Sequence, residues 1–259
     1  MKKHISYSEL KIWATCAFKH KLIYLDKIQE FIGNEFTAFG KALHAVCEYT
    51  AKEELGDDES EMFFDMEFLK ELQALKGKVE LRPKLVEDMR EQAKKISPQI
   101  FPALIKTFGN YEVFSVEERL YQPIDEFESE DIKLKGFIDL VIKTDDGKYH
   151  VIDWKTCSWG WNAEKRSDKL ITYQLTLYKK FFCEKHKVDP ANVETYFALL
   201  KRTAKKENVE IFRVTSGTKK TKNATKLLTD ALSNLKNGPP IKNRKNCDGC
   251  EFYKTKHCT

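Results

Sequence analysis

Glycine and proline are scarce in this chain, 11 and 7 of 259 residues. That leaves little material for long flexible linkers. No apolar run approaches the ~20 residues that span a bilayer, which excludes a helical membrane protein. The start, MKKHISYSEL, is basic but has no apolar stretch of the kind a secretory leader carries. Cysteines number seven, an odd count, and without a leader they do not read as a disulfide framework. The expectation is a soluble protein of the cytoplasm, or of a host cytoplasm if a phage encodes it, with no membrane partner.

What is present is core-forming and charged. Hydrophobic residues make up 41% and aromatic residues 12%, enough for one large domain or two small ones. The net charge of +5 is unevenly spread. Residues 201–259 hold 15 Lys/Arg against 5 Asp/Glu, so the first 200 hold 30 against 35, or +10 against −5. A basic C-terminal quarter suits a polyanion, nucleic acid being the commonest; the plainer reading is a solvated face. Three cysteines cluster in CDGCEFYKTKHC, residues 247–258, and look like a ligand set.

Along the chain, SYSELKIWATCAFKHKLIYL (residues 6–25) reads as a helix capped by Ser6 or Ser8, a break near Cys16, then a second apolar stretch. Residues 35–55 carry helical spacing, with Phe36, Phe39, Leu43 and Val46 on one stripe. Residues 56–108 are charged and helical in character, punctuated by Pro83, Pro98 and Pro102, and suggest an inserted helical subdomain or arm. From Tyr111 the pattern turns to strands: YEVFSVEERLYQPI, IKLKGFIDLVIK and KYHVIDWKT. A helix follows at DKLITYQLTLYKKFFCEKH, then strands at ETYFALLKR and VEIFRVT, then a helix near 221–236. This order predicts α/β or α+β architecture with a mixed sheet.

The chemistry concentrates around a hairpin. KTDDGK, residues 143–148, is an Asp-Gly turn between two apolar strands. Centring the turn on Asp146 pairs residue i with residue 292 − i, which sets Asp139 opposite Asp153. Lys155 shares the face of Asp153. Two close carboxylates repel when both are ionised, so a shared proton or a divalent cation must compensate. Mg²⁺ takes one or two carboxylates and leaves room for phosphate oxygens, and an adjacent lysine can hold water or stabilise charge on phosphorus. The plain alternative is an Asp153–Lys155 structural pair with a spare Asp139 near solvent. In FGKALHAVCE, His44 could face the sheet; in TYQLTLYKKF, Gln174 and Tyr178 share a helical face at i, i+4.

Taken together, GKALH (40–44), GFID (136–139), DWKT (153–156) and QLTLY (174–178) resemble, in that order, the PD-(D/E)XK nuclease superfamily. The likeness is to the RecB-type branch, which includes CRISPR-associated adaptation nucleases and related phage exonucleases. The opening segment is similar to that branch's Ser-x-Ser-x-Leu…Cys-Pro start, with Ala17 for the usual Pro. The resemblance runs from about residue 5 to 258, excepting roughly 50–108.

It implies one nuclease domain over 1–259: a restriction-endonuclease-like mixed sheet flanked by helices, a helical insertion at 50–108, and a cysteine-bearing tail at 240–259 packed with the N-terminal segment. It makes Asp139, Asp153, His44 and the Trp154 carbonyl ligands of Mg²⁺ or Mn²⁺, and Lys155 the catalytic lysine. Gln174 and Tyr178 would organise the site and touch DNA. One of Glu117 and Glu118 would match a recurring acidic position. Asp153 stands where the family often has Glu. Cys16, Cys247, Cys250 and Cys258 match the plan of a [4Fe–4S] cluster; zinc is the alternative, with His20 and His257 nearby. Cys47, Cys157 and Cys183 read as packing residues.

The expected activity is metal-dependent, weakly sequence-specific hydrolysis of single-stranded DNA or DNA ends. Lys201, Lys205, Lys219 and Lys220 would steer the backbone. Recombination or CRISPR-adaptation proteins are the implied partners. The competing readings are a non-catalytic module that binds DNA ends or docks a partner, and a redox sensor built on the cysteines.

Overall fold

In the computed structural model the described residues are 3–28, 31–56, 59–127 and 132–259. A short strand, β1 (His4–Ser6), runs straight into α1 (Tyr7–Thr15). Ser6 serves both: it ends the strand, and its hydroxyl accepts from the Glu9 amide at 3.2 Å, capping the helix. The chain breaks at an extended Cys16, then forms α2 (Ala17–His20) and a π-helical turn, Lys21–Leu25. Next comes α3 (Glu35–Ala51), opened by a reciprocal capping box between Asn34 and Thr37.

Helices α4 (Ser60–Leu75), α5 (Pro83–Ile96) and α6 (Ile100–Phe108) precede the sheet. Its strands are β2 (Tyr111–Pro123), β3 (Lys133–Thr144), β4 (Tyr149–Cys157), β5 (Val193–Lys201) and β6 (Val209–Val214). Between β4 and β5 lie α7 (Ala163–Ser167) and α8 (Lys169–His186); α9 (Thr218–Asn237) follows β6.

The six strands make a mixed sheet in the order β1-β3-β4-β5-β6, with β2 along the other edge of β3. The β3–β4 turn is tight: Gly147 takes a positive φ of 77°, which glycine adopts without strain, and the Thr144 hydroxyl donates to Asp146 at 2.6 Å. Pairing of Leu140 with Ile152 and Val141 with Val151 is the register anticipated from the turn. The crossover from β4 to a parallel β5 is made by α8, as a βαβ unit requires.

Two apolar layers enclose the sheet. One packs α1, α8 and α9 against residues such as Ile138, Val151 and Phe197. The other packs α3, α4, α5 and α6 against Leu140, Ile142, Ile152 and Trp154. The helices of the 56–108 stretch thus share one core with α3 and the sheet. Phe39 meets Phe64 and Phe68 edge-on there, with centroids 5.4 and 6.1 Å apart. Phe36 departs from the expected stripe. It is 40% exposed and lies beneath the guanidinium groups of Arg82 and Arg202.

One topological feature positions everything that follows. β3 changes partner along its length. Lys133–Lys135 pair in parallel with β1, whereas Leu140–Lys143 pair with β4. Between those stretches the sheet forks, and residues 136–139 stand at the fork.

Candidate active site

The fork opens a cleft of about 370 Å³ whose lining includes Asp139, Asp153, Lys155, His44, Gln174 and Tyr178. These come from two strands and two helices that the sequence separates by up to 134 positions. Asp139 leaves β3 one position beyond the Leu140–Ile152 pair, and its Oδ2 accepts from the Trp154 amide at 2.7 Å. Asp153 is 1% exposed, and its Oδ2 lies 2.6 Å from the Lys155 ammonium. Its other oxygen accepts from the Gln174 amide at 2.8 Å. Gln174 also reaches the Tyr178 hydroxyl at 3.3 Å. The Trp154 side chain points the other way, into the core beneath α3. Alternation along β4 thus delivers its two charged residues to the cleft and its indole to the opposite layer.

Gly136 makes the cleft wall possible. A Cβ there would stand 2.8 Å from the Tyr178 ring, closer than real contacts allow. The absence of a side chain lets α8 bring Tyr178 onto the strand.

Burial governs the electrostatics. It pushes the Asp139 carboxyl well above its ordinary range, and the neighbouring Asp153 pushes in the same direction. Burial alone would lower Lys155, but Asp153 and Asp139 outweigh it, and the ammonium is held protonated. His44, on α3, is driven down to about 4, chiefly by burial, so its imidazole is neutral at pH 7. Its Nδ1 stands 3.9 Å from Asp139, and the Trp154 backbone beside it partly offsets the fall.

This donor set fits a hard divalent cation. Two carboxylates share one lysine where their joint ionisation is opposed, and a neutral imidazole and a backbone carbonyl adjoin them. Among the described residues no three His, Cys, Asp or Glu side chains form a ready-made cage. Water and substrate oxygens would therefore complete the shell, as Mg²⁺ commonly requires.

The two glutamates of SVEERL separate clearly. Glu118 accepts from Lys185 and His186 of α8 and serves packing. Val116 pairs with Leu140 and Glu118 with Ile138, which leaves Glu117 across from Asp139. Its backbone is left-handed, φ 49°, in mid-strand. Burial first, then Glu48, raises its pKa. The cleft also includes residues that the sequence did not place in the site: Ser6, Ser8, Glu9, Tyr24, Lys135 and Phe137. The signal for the first three was the SYSEL segment itself, whose likeness to the family's start was visible but not its place. Glu9 is buried and bonds to the buried His20 at 2.9 Å, and Tyr24 stacks on that imidazole at 5.1 Å.

Cys16, Cys247, Cys250 and Cys258 all line one small cavity, about 20 Å³, walled by Phe18, Leu22 and Phe252. Four thiols suit a soft metal by type. The space is that of about one water-sized group, and the four do not form a closed ligand set. Of the other cysteines, Cys47 and Cys183 are buried in the two cores. Cys157 packs against the layer beneath α8.

The lysines proposed to steer DNA do not form one patch. Lys201 ends β5, and Lys205 follows it. Lys219 and Lys220 open α9, after β6 has run back to the start of β5. Lys201 is tied to Glu210 at 3.3 Å. Among the described residues no helix is long and apolar enough to cross a membrane.

A family model of the PD-(D/E)XK nuclease superfamily matches residues 4–255. Among solved structures, a "putative exonuclease" from Eubacterium rectale is similar in fold. Its TM-score is 0.62 at 13% identity, over 98% of this chain and 89% of that one. A second crystal structure, of SSO0001, aligns over 97% of this chain and 84% of its own, with 15% identity and a TM-score of 0.43. No curated protein matches.

Proposed function

This chain belongs to the PD-(D/E)XK nuclease superfamily, and we propose that it is a metal-dependent deoxyribonuclease acting on single strands or DNA ends with little sequence preference. The observation that carries this reading is the convergence of Asp139, Asp153 and Lys155 in the cleft at the fork of β3. Mg²⁺ or Mn²⁺, held by Asp139 and Asp153 with His44 and the Trp154 carbonyl available as further ligands, would neutralise phosphate charge and acidify a bound water.

The chain's own residues do the rest. Gln174 fixes Asp153 through one oxygen and leaves the other to Lys155. Lys155, held protonated, places positive charge where negative charge grows on the attacked phosphate, and can orient the entering water. It acts as a donor and not as a base. His44 stays neutral, so its lone pair is available at physiological pH. The cleft offers ammonium, amide and hydroxyl groups to a phosphodiester, and this supports contact with backbone over contact with particular bases.

Substituting Asp153→Ala or Lys155→Ala should reduce cleavage of end-labelled DNA in Mn²⁺ by about 10³-fold or more, with the melting temperature and DNA retention kept. Full activity in both variants would remove the mechanism. DNA retention without cleavage by the wild-type protein would instead favour the non-catalytic module.

The four tail and N-terminal cysteines we read as a metal clasp. The resemblance favours [4Fe–4S]. The single-ion size of the cavity favours zinc as the alternative. Iron and zinc analysis of freshly purified protein, with its visible spectrum, separates the two.

A further inference from the structure

Past Lys155, β4 runs out of the cleft to a surface that the hydrolytic reading does not use. Trp159, two residues beyond the strand, is 75% exposed, whereas Trp154 and Trp161 are buried. A lone exposed aromatic is ordinary, but this one has neighbours. The Arg202 amide donates to the Cys157 carbonyl at 2.8 Å, and its guanidinium donates to the Ser158 hydroxyl at 2.9 Å. The same guanidinium lies over the half-exposed ring of Phe36, 4.7 Å from its centroid. Arg202 thus joins two exposed rings into one shelf.

The charge on that shelf is uncompensated. The partners of the Arg202 guanidinium are neutral, the Ser158 hydroxyl and the Gln92 amide oxygen at 3.3 Å, and it has no ion pair among the described residues. Arg82, which also lies over Phe36, is by contrast paired with Glu35. Burial lowers the Arg202 pKa. A half-buried cation without a counter-ion calls for an anion from outside.

Two elements fix where the shelf stands relative to the cleft. On α3, Phe36, Gly40 and His44 follow at intervals of four along one face. A Cβ on Gly40 would stand 3.2 Å from the Thr156 hydroxyl, so α3 lies against β4 midway. From cleft to shelf the two run side by side, His44 to Phe36 on one and Lys155 to Trp159 on the other. Eight helical residues at a rise of about 1.5 Å span about 12 Å. That is about two to four nucleotides, depending on how far a strand is stretched from its stacked rise of about 3.4 Å. Lys11 of α1 and Lys165 of α7 add positive charge beside Lys155: burial lowers the Lys11 pKa, and repulsion from Lys155 and Lys165 adds to it, with Asp168 opposing.

We propose that a single strand of DNA leaves the cleft along this line, with a backbone phosphate on Arg202 and an unpaired base stacked on Trp159, Phe36 completing the apolar floor. The inference rests on reading the cleft as the phosphodiester site, and it selects within that reading. Bases locked in a duplex have no free face for Trp159, so the strand must be single at this distance from the scissile bond.

The test is binding by the full chain in EDTA, which stops metal-dependent cleavage, read by anisotropy of labelled oligothymidylates and by tryptophan fluorescence. Of the four tryptophans only Trp159 is exposed, so a base stacked there should quench it. An eight-nucleotide strand should bind more tightly than a two-nucleotide one, which cannot reach from cleft to shelf. Arg202→Gln and Trp159→Ala should each remove about tenfold of that advantage. Trp159→Phe should keep the binding and lose the quench. An abasic strand should be weakened by Arg202→Gln and not by Trp159→Ala, since it offers phosphates without bases. Trp159 lies on the surface, so its loss leaves the fold intact. A length advantage undiminished in both variants, or quenching by a hairpin duplex equal to that by the single strand, would overturn the inference. Wild-type cleavage in Mn²⁺ decides the hydrolytic reading separately. Cleavage with an undiminished length advantage rejects the shelf alone, and no cleavage with the advantage lost in both variants rejects hydrolysis alone.

Discussion

At the scale of single residues, the cleft sets its chemistry by making charge expensive. Asp139 is the clearest case. Its folded pKa lies well above the unfolded value because burial and Asp153 both oppose ionisation. A carboxyl of that kind contributes stability below its unfolded pKa and loses it as pH rises toward the folded value. At neutral pH its ionisation is a cost to stability. Asp139→Asn keeps an oxygen to accept from the Trp154 amide while removing the charge. In EDTA it should therefore melt a few degrees higher than wild type at pH 7. The difference should vanish near pH 4, cleavage should be lost, and Mn²⁺ should stabilise only the wild type. A lower melting temperature for the variant across that range would contradict this account. Gly136 gives a steric counterpart. Gly136→Ala forces a methyl into the Tyr178 ring, an overpacking worth about 1–3 kcal/mol. Chemical denaturation should show that loss, and cleavage should fall at least tenfold as Tyr178 and Gln174 shift. Unchanged kinetics would mean the tyrosine is idle. Of these residues, Asp139, Asp153 and Lys155 were legible because a two-residue periodicity and a tight turn are local properties. Which of Glu117 and Glu118 stands across from Asp139 was not, because that depends on the register of β2 against β3.

At the scale of elements, local pattern again predicted more than tertiary partnership. The five longer strands and the helix that carries Gln174 follow from apolar alternation and helical spacing. The three-residue β1 does not, since its stability comes from pairing with Lys133–Lys135, well over a hundred residues away. With β1 unseen, the fork in the sheet was invisible too, although the site depends on it. Phe36 shows the same limit: helical spacing marked it as core, but it is exposed and meets the guanidinium groups of Arg82 and Arg202 instead. Arg82 deserves a measurement because it ties two helices. Its guanidinium and backbone amide donate to Glu35, joining the start of α3 to the start of α5. Those hydrogen bonds hold the Glu35 carboxyl down to about 2, against the opposing effect of burial. The stabilisation is complete above the unfolded value near 4.5 and disappears as pH falls through about 2. Arg82→Gln should therefore lower the melting temperature at pH 7, and the deficit should shrink steadily between pH 4.5 and 2. A deficit of constant size would place the effect in packing over Phe36 instead.

At the scale of the whole molecule, the two ends of the chain pack together, and the proposed clasp of Cys16, Cys247, Cys250 and Cys258 would add to contacts already there. Asn243 and Asn246 both donate to the Thr15 carbonyl, at 3.0 and 2.9 Å, and Lys19 pairs with Glu251 at 2.6 Å. Trp13 donates to Asn234 at 2.8 Å. These bonds hold the tail against the segment that carries Ser6, Ser8, Glu9 and Tyr24 into the cleft. They do not touch Asp139, Asp153 or Lys155, which the sheet and α8 hold. The proposed clasp would therefore support the cleft wall and not its reactive groups, and closing so long a loop would remove considerable freedom from the open state. Cys247→Ser with Cys250→Ser should speed amide hydrogen exchange in residues 241–258 and in the π-helical turn Lys21–Leu25. Kinetically, it should raise KM for DNA several-fold while kcat changes little, because a loosened wall weakens uniform binding and leaves transition-state contacts in place. A fall in kcat at constant KM would instead mean that the clasp reaches the reacting groups. In that case the link would have to run through Glu9 and His20, the buried pair that joins the clasped segment to the cleft. His20→Gln would then reproduce the kcat defect with all four cysteines intact.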